Sequence, residues 1–302
     1  MTGCPLCNTE TKTIVYDQLQ LAGAFIVKCD QCTHIYTLQN NQIETDELYS
    51  TEVYKIVENR HSLFDKILNW EYGKVVKTIN RLKPQKGFLL DFGCGKGKFG
   101  SIAKSKGWQV KCIETALERA LYAKNIYGLD VDTRPYLTGK LFTNDFDVLT
   151  LFHVLEHLPA PKTSLTELIK HNLKKDALVV IEVPNINSWQ SAIAGKNWMH
   201  LDVSHHFHHF TTLNLERFAS ELQLQTIKTS SFSMHLGVLG MIDSFLKLAG
   251  YKKNIIYELK NKKNIYSMIV ISLLLPFAFL LEVLAAAAGR GGILRKYFIP
   301  VH

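Results

Sequence analysis

From Gly87 onwards, short apolar runs alternate with helical stretches, and few folds accommodate that alternation. GFLLDF (87–92), WQVKCI (108–113), DVLTLF (147–152) and ALVVIEV (177–183) are too short for helices and too continuously apolar for strands with one wet face. Such runs belong in strands buried on both sides. ALERALYAKNIYG (116–128) and TSLTELIKHNL (163–173) lie between them as helical segments. The alternation predicts an α/β fold, a parallel sheet with helices on both faces. Upstream, Phe64, Ile67, Leu68, Tyr72, Val75, Val76, Ile79 and Leu82 fall at helical spacing, which predicts an amphipathic helix over 61–83 ending at Pro84.

The first strand runs directly into DFGCGKGKFG (91–100). A glycine-rich turn between strand and helix lets a nucleotide-like ligand approach the backbone. Gly95, Gly97 and Gly100 match G-x-G-x-x-G, a weak signal by itself. Asp91 stands at the strand end, where it would repel a pyrophosphate, so a cationic cofactor fits better. Asp91-x-Gly93-x-Gly95-x-Gly97 resembles the opening motif of the class I S-adenosylmethionine-dependent methyltransferases.

The resemblance continues over residues 87 to 232. VKCIETA puts Glu114 where that family holds the ribose hydroxyls with an acid. DFDVLTLFHVLEHLPAP resembles the fourth strand and its turn, LVVIEVPN the fifth strand, and HHFHHFTTLNLERFASELQL the later segment with His, Phe-Thr and a helix. It implies a doubly wound, Rossmann-like seven-stranded methyltransferase sheet, with LQTIKTSSF (224–232) and ILRKYFIPV (293–301) as its last two strands. It also implies an enzyme that uses S-adenosylmethionine, with Asp91, Gly93, Cys94, Gly95, Gly97, Glu114, Phe152 and His153 around the cofactor.

FHVLEHLPAP (152–161) contains His153, Glu156 and His157 as H-x-x-E-H, a zinc-protease spacing. A protease needs that motif on a sustained helix; here it follows a buried strand, and Pro159 and Pro161 curtail any helix started at Phe152. Methyl transfer is an in-line displacement, so positioning supplies most of the acceleration, with a base useful for a hydroxyl or acid acceptor. His157, His206 and His153 are the candidate bases, and Glu156 the neighbouring carboxylate. Quinone-biosynthesis O-methyltransferases are similar over this stretch but carry Glu-x-x-Glu-His, associated with a divalent ion. His153 replaces the first Glu, which leaves open a metal at His153, Glu156 and His157, a base, or a simple brace. MHLDVSHHFHHF (199–210) holds five histidines and reads as an active-site flap, a second metal site being the alternative.

Cys4-x-x-Cys7 and Cys29-x-x-Cys32 are paired knuckles suited to one closed structural zinc site; two unrelated turns with free thiols are the alternative. Cys94 and Cys112 sit in apolar contexts, as small hydrophobes. The polar start MTGCPLCNTETK lacks the apolar core of a signal peptide, so the expected location is cytoplasmic.

Between the last two strands lie KKNIIYELKNKK, with five lysines and one glutamate, and an 18-residue uncharged stretch over 264–281. That length reaches the threshold for a membrane span. Two flanking strands in one sheet argue against a crossing, and Pro276 suggests a shallow hairpin entering one leaflet of an anionic inner surface, against the alternative of two helices buried on the enzyme or a dimer partner. The expected organisation is a zinc ribbon over 1–40, a helical linker over 41–86, the cofactor-binding domain over 87–235, a helical insertion over 236–290 and the last strand over 291–302. A lipid, glycan or other small acceptor follows. Net charge +8 with a zinc ribbon also suits RNA, but the lysines adjoin an apolar run and do not interleave with aromatics. A non-catalytic zinc-ribbon scaffold is the third reading, against which the intact acidic and glycine set weighs.

Overall fold

The computed structural model describes residues 3–19, 21–39, 63–135, 138–251 and 265–301. The lysine-rich run 252–263 and the first part of the expected linker, 41–62, lie outside them. The chain forms two compact units that do not follow linear boundaries. One comprises Glu58–Val183, Glu216–Thr229 and Arg295–His302; the other comprises Met1–Val57, Pro184–Leu215 and Ser230–Leu294.

The first unit carries the seven-stranded sheet. Its strands are β4 (Phe88–Phe92), β5 (Gln109–Ile113), β6 (Asp130–Asp132), β7 (Phe146–Phe152), β8 (Leu173–Pro184), β10 (Leu224–Ser230) and β11 (Ile293–Pro300). They are ordered β10-β11-β8-β7-β4-β5-β6. β4 pairs in parallel with β5 and with β7, as do β5 with β6 and β7 with β8. The apolar runs are buried as expected: Leu89, Leu90, Val148, Leu149, Val179 and Val180 are fully enclosed. Each such side chain is worth about 1.5–3 kcal/mol of transfer free energy.

Four helices flank these strands: α1 (Leu63–Leu82), α2 (Lys98–Ser105), α3 (Leu117–Tyr127) and α4 (Pro161–Asn172). α1 turns Val75, Val76 and Ile79 into the core that also holds Phe99, Trp108 and Tyr297. α4 begins with Pro161 in its first turn, where a missing N–H costs nothing. The strand β6 has no apolar run and escaped the sequence pattern because it is three residues long.

The second unit contains a four-stranded sheet, β1 (Lys12–Tyr16), β2 (Ala24–Cys29), β3 (Ile35–Gln39) and β9 (His208–His209), in that order. Asn8 and Thr33 follow the two Cys-x-x-Cys pairs with φ of 60° and 61°. Each donates its N–H to the carbonyl of the first cysteine of its knuckle, Cys4 at 2.8 Å and Cys29 at 3.0 Å. The two knuckles therefore repeat one local geometry. This unit also holds α5 (Trp189–Ala194), α7 (Leu239–Leu248) and α8 (Ile265–Ala287), and α6 (Thr212–Glu221) starts in it.

α8 corrects the expected hairpin. The helix runs unbroken through Pro276. Proline removes one N–H, leaving the Ser272 carbonyl without its helical donor, but the apolar residues on both sides favour continued helix over a turn that would expose more backbone.

Candidate active site

The end of β4 forms an acidic, backbone-rich cradle. Register places Asp91 opposite Thr150 of β7, and the Thr150 hydroxyl donates to Asp91 Oδ1 at 2.8 Å. Asp91 Oδ2 is buried and accepts no hydrogen bond among the described residues. Burial raises the Asp91 pKa, the Thr150 hydrogen bond opposes this, and the Glu114 charge adds to it, leaving it at about 7.

The loop then folds back on β5. Gly93 and Cys94 donate their N–H groups to the Ile113 carbonyl at 2.8 and 3.0 Å. Gly93 has φ 73°, and a Cβ there would stand 2.4 Å from Val154 Cγ2. Gly97 has φ 76° and is closed in by Ala123 and Leu129. Gly95 differs: φ is 55°, but nothing lies within 4 Å of where its Cβ would be. Its N–H donates to Glu114 Oε2 at 2.8 Å, and Ala116 N–H donates to Glu114 Oε1 at 2.9 Å. Asp91, the open approach at Gly95 and Glu114 together suit a cationic nucleoside: an unmet acceptor, exposed backbone and a second carboxylate at adjacent strand ends.

The turn after β7 holds H-x-x-E-H, on a single 3-10 turn over Leu155–His157 and not on a protease helix. His153 has φ 56°, an uncommon conformation for a residue with a side chain. Its N–H donates to the Glu182 carbonyl at 2.9 Å. Its Nε2 lies 2.9 Å from Glu182 Oε1, and its Nδ1 lies 3.4 Å from Glu156 Oε1. Burial alone would lower the His153 pKa; hydrogen bonds and charge from Glu156 and Glu182 outweigh it and raise it to about 10. Both imidazole nitrogens thus face carboxylates, and His153 is held between Glu156 and Glu182.

Behind His153 runs a set of buried charges absent from the sequence reading. Arg295 donates through Nε to Glu182 Oε2 and through an Nη to Glu71 Oε1 at 3.4 Å. Tyr72, Phe99 and Phe152 pack beside this set, with Phe99 and Phe152 rings 4.6 Å apart. No sequence signal joined Glu71, Glu182 and Arg295, which come from one helix and two strands. His157 is partly exposed on the same turn, and its N–H donates to the Val154 carbonyl.

A family model described as a methyltransferase domain matches residues 64–229, more than half of the chain. The chain belongs to the methyltransferase-domain family. It is a class I S-adenosylmethionine-dependent methyltransferase. The plantazolicin methyltransferase BpumL, solved with SAH, has a similar fold: TM-score 0.52, 14% identity, covering 86% of this chain and 91% of that one. The same enzyme with a triazolic desmethylPZN analog and SAH gives 0.50, 15% identity, covering 86% and 92%. The ubiquinone biosynthesis O-methyltransferase of Glaesserella parasuis serovar 5 (strain SH0165) is 31% identical over 107 residues. That match spans 32% of this chain and 45% of that enzyme.

The methyltransferase carries its histidine segment and cysteines in the second unit. The Sγ atoms of Cys4, Cys7, Cys29 and Cys32 all lie within 4.8 Å of one another. Cys4–Cys32 and Cys7–Cys29 are 3.5 Å apart, far beyond a disulfide bond of about 2.05 Å. Four thiols so placed fit the edges of a tetrahedral zinc–thiolate site with bonds of about 2.3 Å. β3, which leaves the second knuckle, pairs with β9 through Ile35–His209 and Tyr36–His208. Thr37 donates to the His206 carbonyl at 2.6 Å and Gln39 to the Val203 carbonyl at 2.8 Å. Within the expected flap, His208–His209 form the edge strand of this four-stranded sheet. His206 is buried, with Nδ1 3.0 Å from the His200 carbonyl, and His205 Nδ1 lies 2.7 Å from Asp202 Oδ1.

Proposed function

We propose that this methyltransferase methylates an oxygen of a small or amphiphilic acceptor, such as a lipid-linked sugar, a quinone-like molecule or a cell-envelope precursor. The observation that carries the cofactor half of this reading is the buried Asp91 with one oxygen unmet, set beside the open Gly95 and Glu114. S-adenosylmethionine supplies the activated methyl group. Asp91 attracts its positive charge, the backbone of Gly93, Cys94, Gly95 and Gly97 admits it closely, and Glu114 receives ribose hydroxyls. Phe152 and the His153 backbone line the same end of the sheet.

An oxygen acceptor must shed a proton, and His157 is the residue to take it. It sits on the turn after β7, while His153 is committed to two carboxylates. Glu156 steadies that turn through His153. Support for oxygen comes from the O-methyltransferase relative, whose match covers under half of that enzyme, so its acceptor is not carried over. Cys4, Cys7, Cys29 and Cys32 hold a structural zinc with no open position for catalysis. The enzyme works from the cytoplasmic side.

The test is transfer of labelled methyl from S-adenosylmethionine into fractionated extract. Label in the lipid or small-molecule fraction is expected, as a base-stable methyl ether or a base-labile methyl ester. Label confined to RNA or protein overturns the reading.

A further inference from the structure

Helix α8 rests one side on its own unit and leaves the other bare. Ile271, Leu274, Ala278 and Leu281 pack around Val238, which precedes α7, and Met241 and Ile242 at its start. Glu282 and Ala285 are fully buried on that side. Glu282 Oε1 accepts the Gly292 N–H at 2.9 Å, and a Cβ on Gly237 would fall 2.2 Å from that oxygen. The carboxylate therefore pins the C-terminal half of the helix to the unit.

The opposite side carries Ile269, Leu273, Phe277, Leu280 and Leu284, at intervals of three and four residues that form one stripe. Leu273 is 67% exposed and Phe277 66%. A contiguous row of large apolar side chains marks an interaction surface, whereas single exposed leucines do not. By length and composition Met268–Ala287 could also cross a membrane. A span would need apolar surroundings on all sides, yet Glu282 lies within it and its packed side is already occupied by protein.

Charge selects between the two coverings that remain, a lipid surface and a second copy. The sequence entering the helix, KKNIIYELKNKK, has five lysines to one glutamate, and Arg290 follows its end. The bare stripe is uncharged, so pairing two stripes gives these cations no complement. Anionic headgroups beside an apolar layer complement both the lysines and the stripe. We propose that α8 lies flat on an anionic lipid surface, its bare stripe entering the boundary between headgroups and acyl chains.

This deepens the amphiphile reading and rests on it only for its purpose, which is to meet a lipid-resident acceptor where it lies. The experiment is flotation of the full-length protein with vesicles of phosphatidylcholine alone or mixed with phosphatidylglycerol, and sedimentation without vesicles. The protein is expected to float with the mixed vesicles. Leu273→Glu/Phe277→Glu should cut flotation at least about tenfold, since two charges then enter the apolar layer. Its circular dichroism and S-adenosylmethionine affinity should match wild type. A wild-type protein that stays at the bottom, or a double variant that floats equally well, overturns the surface. A wild-type dimer that the variant converts to monomer, with neither floating, assigns the stripe to a second copy and overturns the proposal. Either failure leaves methyl transfer itself intact, whereas flotation without lipid methylation sinks the acceptor reading alone.

Discussion

Arg295 and Glu182 form an ion pair sealed inside the sheet unit, at 5% and 1% exposure. Glu182 gives its other oxygen to His153, so the last strand of the chain holds the turn that follows β7. Arg295→Met would leave Glu182 and Glu71 buried without their guanidinium. The expected loss is about 3–5 kcal/mol, read as a lower denaturant midpoint at unchanged slope. Arg295→Lys keeps the charge but not the fork between two carboxylates, and should recover only part of it.

Asp91 gives the enzyme a pH dependence of known sign. Its folded pKa of about 7 lies above the unfolded value of about 3.9, so the folded state binds the proton more tightly. The stability this contributes is complete below about pH 3.9 and is lost as pH rises through about 7, with an upper figure of order 4 kcal/mol. Asp91→Asn should flatten this decline in denaturation curves taken across that range. Binding runs the other way, because a cationic cofactor prefers the ionised carboxylate. Calorimetry should show affinity for S-adenosylmethionine rising between about pH 6 and about pH 8 in wild type and flat in Asp91→Asn.

Two glycines in the cradle should separate folding from binding. Gly93→Ala meets Val154 and a positive φ together, and should cost about 2–4 kcal/mol in thermal denaturation. Gly95→Ala has open space and only the strained φ to bear, about 1–2 kcal/mol. Its larger effect should fall on the cofactor, whose approach the new methyl obstructs, as a loss of affinity in titration.

Metal removal should loosen the ribbon and its strand edge together. One zinc per chain is expected by elemental analysis of the purified protein. Chelation, or Cys29→Ser, should raise amide hydrogen exchange at residues 35–39 and 206–210, since β3 holds β9. Unchanged exchange at 206–210 after metal loss would contradict the brace.

His157→Asn tests the base. A general base contributes about 10²–10⁴-fold, so kcat should fall by that factor while affinity for S-adenosylmethionine is unchanged. His153→Asn should act differently, losing stability because the buried carboxylates of Glu156 and Glu182 lose their shared imidazole, before it touches any proton transfer.

The sheet was legible because its central strands are buried on both sides, and continuous apolar runs such as LVVIEV are the direct record of that burial. Asp91, the spaced glycines and the cysteine knuckles were legible for a related reason: strand ends, left-handed turns and tight Cys-x-x-Cys turns each demand particular residues at fixed local spacing. β6 was not, since Asp130–Asp132 is defined by its neighbour β5 and not by its own composition.

Tertiary structure alone decided the charges and the helix. Glu71, Glu182 and Arg295 are far apart in the chain, and only the stacking of α1, β8 and β11 makes a single buried set of them, which in turn holds the His153 imidazole through Glu182. Local composition foretold the apolar length of α8, but Pro276 suggested a break that the continuous helix does not make. Which side of that helix is bare is a property of what packs against it, and Glu282 turned inward sets the side.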